Sequence, residues 1–166
     1  MEVYAKIKGF ENYAVSNFGN VINIKKKGKM MKQTTDEKGY NRVGLRVNGK
    51  RKHFRIHRLV AEAYLDKIEG KELVDHKDCM KNNNCVANLR WCSGSENSRN
   101  TKINSRNTSG VKAVSFCNKY KKWKTSICIN NKRKHIGYFD TLEQAKIARQ
   151  NKALEIFGEF IHDCEK

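Results

Sequence analysis

Twenty-two positions separate Asp75 from Asn97, and the residues between them narrow the fold of this chain more than any other stretch. Val74-Asp75-His76-Lys77-Asp78 is followed by Asn82-Asn83-Asn84, then Asn88-Leu89-Arg90-Trp91, then Ser95-Glu96-Asn97. Ser93-Gly94-Ser95-Glu96 matches a capping box, which predicts a helix with Ser93 as N-cap and Asn97 in its first turn. The spacing therefore suits a strand–loop–helix hairpin that brings a strand end against a helix start. Asp75 and Asn97 offer hard oxygen ligands for a Mg²⁺-like ion. A neutral imidazole at His76 is a suitable general base for a water beside that ion. Neighbours on a regular strand point to opposite faces, so some irregularity is expected at this pair. Asn88 is placed to hold either the imidazole or the intervening loop.

Charge says what such a site would act on. The chain of 166 residues carries a formal net charge of +18, which favours a polyanionic partner. Residues 1–56 hold 14 Lys+Arg against 4 Asp+Glu, a net +10; residues 57–100 hold 7 against 7; residues 101–166 hold 14 against 6, a net +8. Two basic arms flank a neutral centre, and the motif lies in that centre. A metal-and-imidazole site between basic arms points to phosphodiester chemistry on nucleic acid, where one ion relieves charge on phosphoryl oxygens and the leaving alkoxide.

The arms have recognisable organisation. Residues 1–55 read as short strands: Tyr13 to Asn17, Val21 to Ile24, and Tyr40 to Val47, the last ending in an Asn48-Gly49 hairpin turn. Alternation on that last strand puts Arg42 and Arg46 on its polar face, suited either to a phosphate backbone or simply to solvent. From Arg55 to Tyr64 the period becomes helical, with Leu59, Val60, Ala63 and Tyr64 on one side. Residues 101–110 form a polar linker. Strands are expected at Val111–Phe116, Trp123–Ile129 and His135–Phe139, with Asn130-Asn131 turning the chain between the last two. A helix capped by Thr141-Leu142-Glu143-Gln144 and ended by Gly158 follows. Its apolar side carries Leu142, Ala145, Ala148, Ala153, Ile156 and Phe157. Lys112, Lys122, Lys124, Lys132, Arg133 and Lys134 lie on or beside these strands as candidate phosphate contacts. Trp123 is a candidate for either the core or the backbone of a duplex.

The motif run resembles the HNH endonucleases of the phage and intron-encoded homing type. The resemblance implies Asp75 and Asn97 as metal ligands, His76 as general base and Asn88 as the central Asn that supports it. His57-Arg58-Leu59-Val60-Ala61 resembles the helix that precedes the motif in that family. Gly9-Phe10-Glu11-Asn12-Tyr13 and Val15-Ser16-Asn17 resemble the small NUMOD4-type module often fused to it. Ser109-Gly110-Val111, Lys122-Trp123, Gly137-Tyr138-Phe139-Asp140-Thr141 and Phe157-Gly158-Glu159-Phe160 are similar to an AP2-type DNA-binding domain. The implied class is α+β: a ββα-metal (His-Me finger) core, a small N-terminal β module and a C-terminal three-stranded sheet plus helix. The implied divisions are 1–55, 56–100, a linker at 101–110, and 111–162.

These readings make the chain a site-specific DNA endonuclease using Mg²⁺ or Mn²⁺ on double-stranded DNA. One site per chain suggests a monomer that nicks. The rival readings are an AP2-type DNA-binding regulator with an inactive nuclease remnant, and an RNA-directed protein. No apolar run is long enough to span a membrane and no N-terminal signal is evident, so a cytoplasmic protein of a bacterial host cell is expected. The six Cys then read as reduced thiols. Cys79, Cys85 and Cys92 are spaced too irregularly for a standard zinc site, and no structural zinc is expected.

Overall fold

The structure is a computed structural model that describes residues 1–129 and 132–161. The expected Asn130-Asn131 turn, Cys164 and residue 162 lie outside the described residues. The chain divides into two units, Met1–Gly94 and Ser95–Lys166. The fold is α+β: an N-terminal sheet region, a small central hairpin bearing the motif, and a C-terminal sheet with a helix.

In the first unit, β1 (Tyr4–Ile7), β2 (Phe10–Ser16), β3 (Val21–Asn23) and β4 (Lys29–Met30) form one antiparallel sheet in sequence order. The third strand stops one residue before the expected Ile24. The Asn23 side chain accepts from the Lys26 N–H and starts a single 3-10 turn, which closes at Lys27 with φ 52°. A second sheet pairs β5 (Gln33–Thr35), β6 (Asn41–Val47) and β7 (Lys50–Arg55). The hairpin between the last two turns at Asn48 and Gly49, with φ 48° and 77°. Both signs are positive, as a type I′ turn requires, and Asn-Gly tolerates that backbone best.

Helix α1 (Ile56–Tyr64) follows directly and buries Ile56, Leu59 and Val60. These residues share one core with Ile7, Val15 and Val21 of the first sheet, Val43 and Leu45 of the second, and Leu89 of the motif hairpin. The Tyr64 hydroxyl sits within hydrogen-bond distance of the Val3 and Val15 carbonyl oxygens, at 2.8 and 2.9 Å, tying the helix end to the first sheet. The motif hairpin is β8 (Leu73–His76) paired with β9 (Leu89–Cys92), in the register Asp75↔Arg90 and His76↔Leu89.

Helix α2 (Gly94–Arg99) lies at the start of the second unit but for its first residue, so a helix stands where the capping box predicts one. Its sheet is β10 (Val114–Cys117), β11 (Lys122–Ile129) and β12 (Lys132–Phe139), in that order. The first of these starts three residues later than expected. The Ser109 hydroxyl bonds the Val111 and Val114 carbonyls and Ala113 takes φ 58°, so Val111–Ala113 belongs to a turn. Helix α3 (Leu142–Phe157) has the full capping box at Thr141 and Gln144 and ends at Gly158 with φ 52°. Its buried line is Ala145, Arg149, Ala153 and Phe157. The expected apolar stripe is therefore narrower than the sequence suggests, and an Arg lies within it. Ala153 and Phe157 pack with Ile127 and Ile161.

Candidate active site

Asp75 and His76 are each 5% exposed, an unusual state for adjacent polar residues. Across the hairpin, Arg90 donates from Nε (3.0 Å) and Nη2 (2.8 Å) to Oδ2 of Asp75. Arg90 is itself buried. The strand register explains the pairing, since these two residues face each other directly. The Asp75 side chain is thus fixed in one orientation.

His76 ends β8, and its carbonyl accepts the Cys79 N–H at 2.9 Å. Cys79 takes φ 57°, so the backbone turns sharply just after the pair. His76 Nε2 lies 3.3 Å from Asn84 Oδ1. The amide oxygen can only accept, so this contact is a hydrogen bond in the tautomer that carries its proton on Nε2. The Asn84 amide is oriented by its own Nδ2–H, which donates to the Asn82 carbonyl at 3.1 Å. Burial lowers the His76 pKa, against the opposing effect of the Asn84 bond, so the ring favours its neutral form near pH 7.

Asn88 holds the loop. Its Nδ2 donates to Asp78 Oδ1 and to the Asn83 carbonyl, both at 2.9 Å, and its Oδ1 accepts the Asp78 N–H at 3.1 Å. Burial works against charge on Asp78, but bonds from the Met80 N–H, Asn83 and Asn88 outweigh it and keep the pKa lowered. Of the two roles open to Asn88 in the sequence, framing the loop is the one its contacts fill. The residue on the imidazole is Asn84, one of three consecutive Asn that the sequence does not distinguish. Asn97 is exposed on α2, in the second unit.

His57 and Tyr40 were not legible as site residues. The His57 ring stands edge-on to His76 at 5.0 Å, and Tyr40 lies 5.0 Å from His57 and 6.0 Å from His76. His57 is buried, and its Nδ1 makes no hydrogen bond. Burial first, then the nearby His76, pulls its pKa from 6.5 to about 3. A folded state that refuses this proton loses stability as pH falls from about 6.5 toward 3, because only the unfolded chain takes it up. The loss should approach about 1.4 kcal/mol per pH unit for the one group. Urea unfolding of His57→Gln is expected to show a shallower decline between pH 7.5 and 5.5 than wild type; parallel curves would contradict this reading of His57.

The candidate nucleic-acid residues divide clearly. Arg42 and Arg46 lie on β6 opposite Arg55 and Arg51, with Gly44 opposite His53, so one face of this sheet is almost wholly basic. The Arg51 guanidinium lies across Gly44, where any Cβ would collide with it. Lys26, Lys29, Lys32, Arg46 and Arg51 line an open cleft of about 550 Å³. In the second unit, Lys124, Lys132, Arg133 and Lys134 are exposed. Two other candidates have partners within the protein. Lys112 donates to the Arg99 and Thr101 carbonyls at 2.8 and 3.1 Å, and Lys122 pairs with Asp140 at 3.0 Å. Trp123 is half-buried, edge-on to Phe116 at 5.3 Å. The sequence reading missed exposed Tyr120 and Tyr138, which meet at 4.9 Å, with His135 4.7 Å from Tyr138. The basic run Lys132–His135 followed closely by Tyr138 on β12 was the available signal.

A model of the HNH endonuclease family matches residues 54–99, and one of the NUMOD4 motif matches residues 2–46. The chain is 42% identical over 125 residues to DNA endonuclease I-HmuI of Bacillus phage SP01, covering 75% of this chain and 70% of that protein. The chain belongs to the HNH endonuclease family. The solved structure titled "DNA binding and cleavage by the HNH homing endonuclease I-HmuI" matches with a TM-score of 0.54 at 34% identity. That match covers 94% of this chain and 83% of the other. H-N-H endonuclease F-TflII of Escherichia phage T5 is 27% identical over 136 residues, 81% of this chain and 70% of that protein. Against the uncharacterized HNH endonuclease L245 of Acanthamoeba polyphaga mimivirus, identity is 36% over 111 residues, or 67% of this chain and 32% of that longer one. The residues that match the HNH model include β8 and β9, where the buried Asp75–His76 pair lies.

Among the described residues no three His, Cys, Asp or Glu side chains gather into a metal cluster. The buried Asp75 carboxylate is a hard oxygen donor, which fits an ion such as Mg²⁺ that takes one or two carboxylates and keeps several waters. Among the described residues no helix is long and apolar enough to cross a membrane.

Proposed function

We propose that this chain is a site-specific DNA endonuclease of the homing type. It would hydrolyse a phosphodiester bond of double-stranded DNA with His76 as general base. The observation that carries this reading is the buried Asp75–His76 pair, with one carboxylate fixed by Arg90 and a neutral imidazole fixed by Asn84. The His76 imidazole accepts the proton of the attacking water, with Asn84 holding the ring. Asn88 keeps the loop after β8 closed, so the two sides of the hairpin hold a constant separation. Asp75 and Asn97 are the residues that would hold a divalent ion, Mg²⁺ or Mn²⁺. When bound, that ion supplies positive charge to the phosphoryl oxygens and the leaving alkoxide. EDTA should therefore stop cleavage of an end-labelled duplex carrying the target, and added Mg²⁺ should restore it. Cutting that persists in EDTA would remove the metal from the proposal.

The DNA is gripped through its phosphates by the two basic arms. In the first unit the basic face of β6 and β7 and the Lys26–Lys29–Lys32 cleft supply the charge. In the second, an AP2-type sheet presents Lys124, Arg133, His135 and Tyr138. Division of the chain at 1–55, 56–100 and 111–162 assigns grip, cutting and reading to successive segments. The organised contacts around Asp75 and His76 support an active nuclease over a regulator that keeps only a remnant. Duplex DNA is expected to compete better than duplex RNA of equal length. Affinity should fall steeply with salt, and replacing Lys26, Lys29 and Lys32 with Gln should flatten the log–log slope by up to about 0.9 for each phosphate left without its lysine. Fluorescence anisotropy across a salt series measures this; a flat response in wild type would contradict phosphate-driven docking.

A further inference from the structure

We propose that two turns of the N-terminal sheets clamp the His76 imidazole from two sides, with Tyr40 as the chief positioning residue, so that the nuclease site is incomplete without them. This inference rests on His76 being the base.

The first turn joins β2 to β3. Gly19 takes φ +87°, and a Cβ there would stand 2.7 Å from Asn84 Cβ and 3.1 Å from Ile56 Cγ2. The Asn17 carbonyl accepts the Val86 N–H at 2.8 Å. Glycine at this position lets the turn press directly on the Asn84 segment. Asn84 is 3% exposed and holds His76 Nε2. The turn therefore fixes the ring through one intermediary side chain.

The second turn runs from Asp36 to Tyr40. Asp36 Oδ1 accepts the Lys38 and Tyr40 N–H groups at 2.9 and 3.0 Å, and Oδ2 accepts Arg55 Nε at 2.8 Å. Arg55 Cζ lies 4.5 Å from the Tyr40 ring centre and Lys81 Nζ 5.0 Å. Lys81, from the loop after the Asp-His pair, also donates to the Lys38 carbonyl at 2.8 Å. The ring so held packs on His57 and His76 together. His57 has no hydrogen bond at Nδ1, so its orientation depends on this packing. The sequence of contacts is Asp36, Tyr40, His57, His76: a chain of ordinary contacts that begins in the N-terminal sheets and ends at the reacting nitrogen's ring. Displacing a catalytic group by about 1 Å costs roughly 10²-fold in rate, so a loosened ring should be visible in catalysis.

The test compares Tyr40→Leu with Tyr40→Phe in the full chain. Single-turnover cleavage at saturating protein is measured with DNA affinity, and the His76 ring nitrogens are followed by long-range ¹H–¹⁵N NMR. Tyr40→Leu should slow cleavage by about tenfold or more, leave DNA affinity within about twofold, and shift the His76 signals. Tyr40→Phe should restore the rate, because the ring and not the hydroxyl makes the contacts. Asp36→Ala, which frees the turn without touching the core, should give the same pattern more weakly and serves if Tyr40→Leu does not fold. Wild-type rate and unchanged His76 signals in Tyr40→Leu would overturn the clamp, as would equal slowing in Tyr40→Phe or an effect confined to affinity. A wild-type protein that cuts no DNA would instead overturn the nuclease reading, and the NMR arm would still decide whether the turns position His76.

Discussion

His76→Ala is expected to lower the single-turnover cleavage rate by about 10²–10⁴-fold, the usual contribution of a positioned general base, with DNA affinity unchanged. As the proposed base the ring would accept a proton but carry no charge toward the duplex, because burial favours its neutral form. In that role its removal would delete an interaction with the attacking water and none with the phosphate backbone. The rate and the affinity separate cleanly in a saturation series. The cavity left by the ring lies beside His57 and Tyr40, so a melting curve accompanies the kinetics. A folded His76→Ala protein that cuts normally, or one that no longer binds DNA, would contradict the role assigned to this side chain.

Arg90→Leu is expected to destabilise the first unit by about 3–5 kcal/mol. Two donors of Arg90 converge on one oxygen of Asp75, and the two side chains are 9% and 6% exposed. Removing the guanidinium leaves a carboxylate in a site from which water is largely excluded. By contrast, Lys67–Glu72 at 3.0 Å is as short as many good ion pairs, but its side chains are 62% and 68% exposed. Such exposed pairs contribute about 0–1 kcal/mol. The double variant Arg90→Leu with Asp75→Asn should recover much of the stability, since it no longer buries a carboxylate that has lost its guanidinium. Urea unfolding of the single and double variants checks both statements; a single variant within about 1 kcal/mol of wild type would show that Asp75 does not depend on Arg90.

Local chemistry made much of the fold legible. The Asn48-Gly49 hairpin, the Thr141 capping box and the Gly158 helix end were all set by a few adjacent residues, and each stands where the sequence places it. Asp75-His76 was legible as a strand end, but the irregularity expected at the pair is absent, since both residues keep the β8–β9 register and the backbone turns only at Cys79. What escaped was decided by packing between distant segments. Nothing in Asn82-Asn83-Asn84 says which Asn meets the imidazole, because Gly19, far away in sequence, presses the last of them inward. Tyr40 and His57 read as a strand start and a helix start, and only the tertiary arrangement brings their rings beside His76. The basic strands showed which side chains carry charge but not which charge is already used. Lys112 commits its donors to backbone carbonyls and Lys122 pairs with Asp140. Arg149 sits in a buried line because its i−4 and i+4 neighbours are alanines, which leave room for its stem.

The most direct measurement is relaxation of a supercoiled plasmid carrying host-phage DNA with the target, in Mg²⁺ or EDTA, by wild type and His76→Ala. Open-circular or linear product that requires Mg²⁺ and is absent with the variant is the expected result. Tight binding to that plasmid without any cleavage by wild type in Mg²⁺ would contradict it.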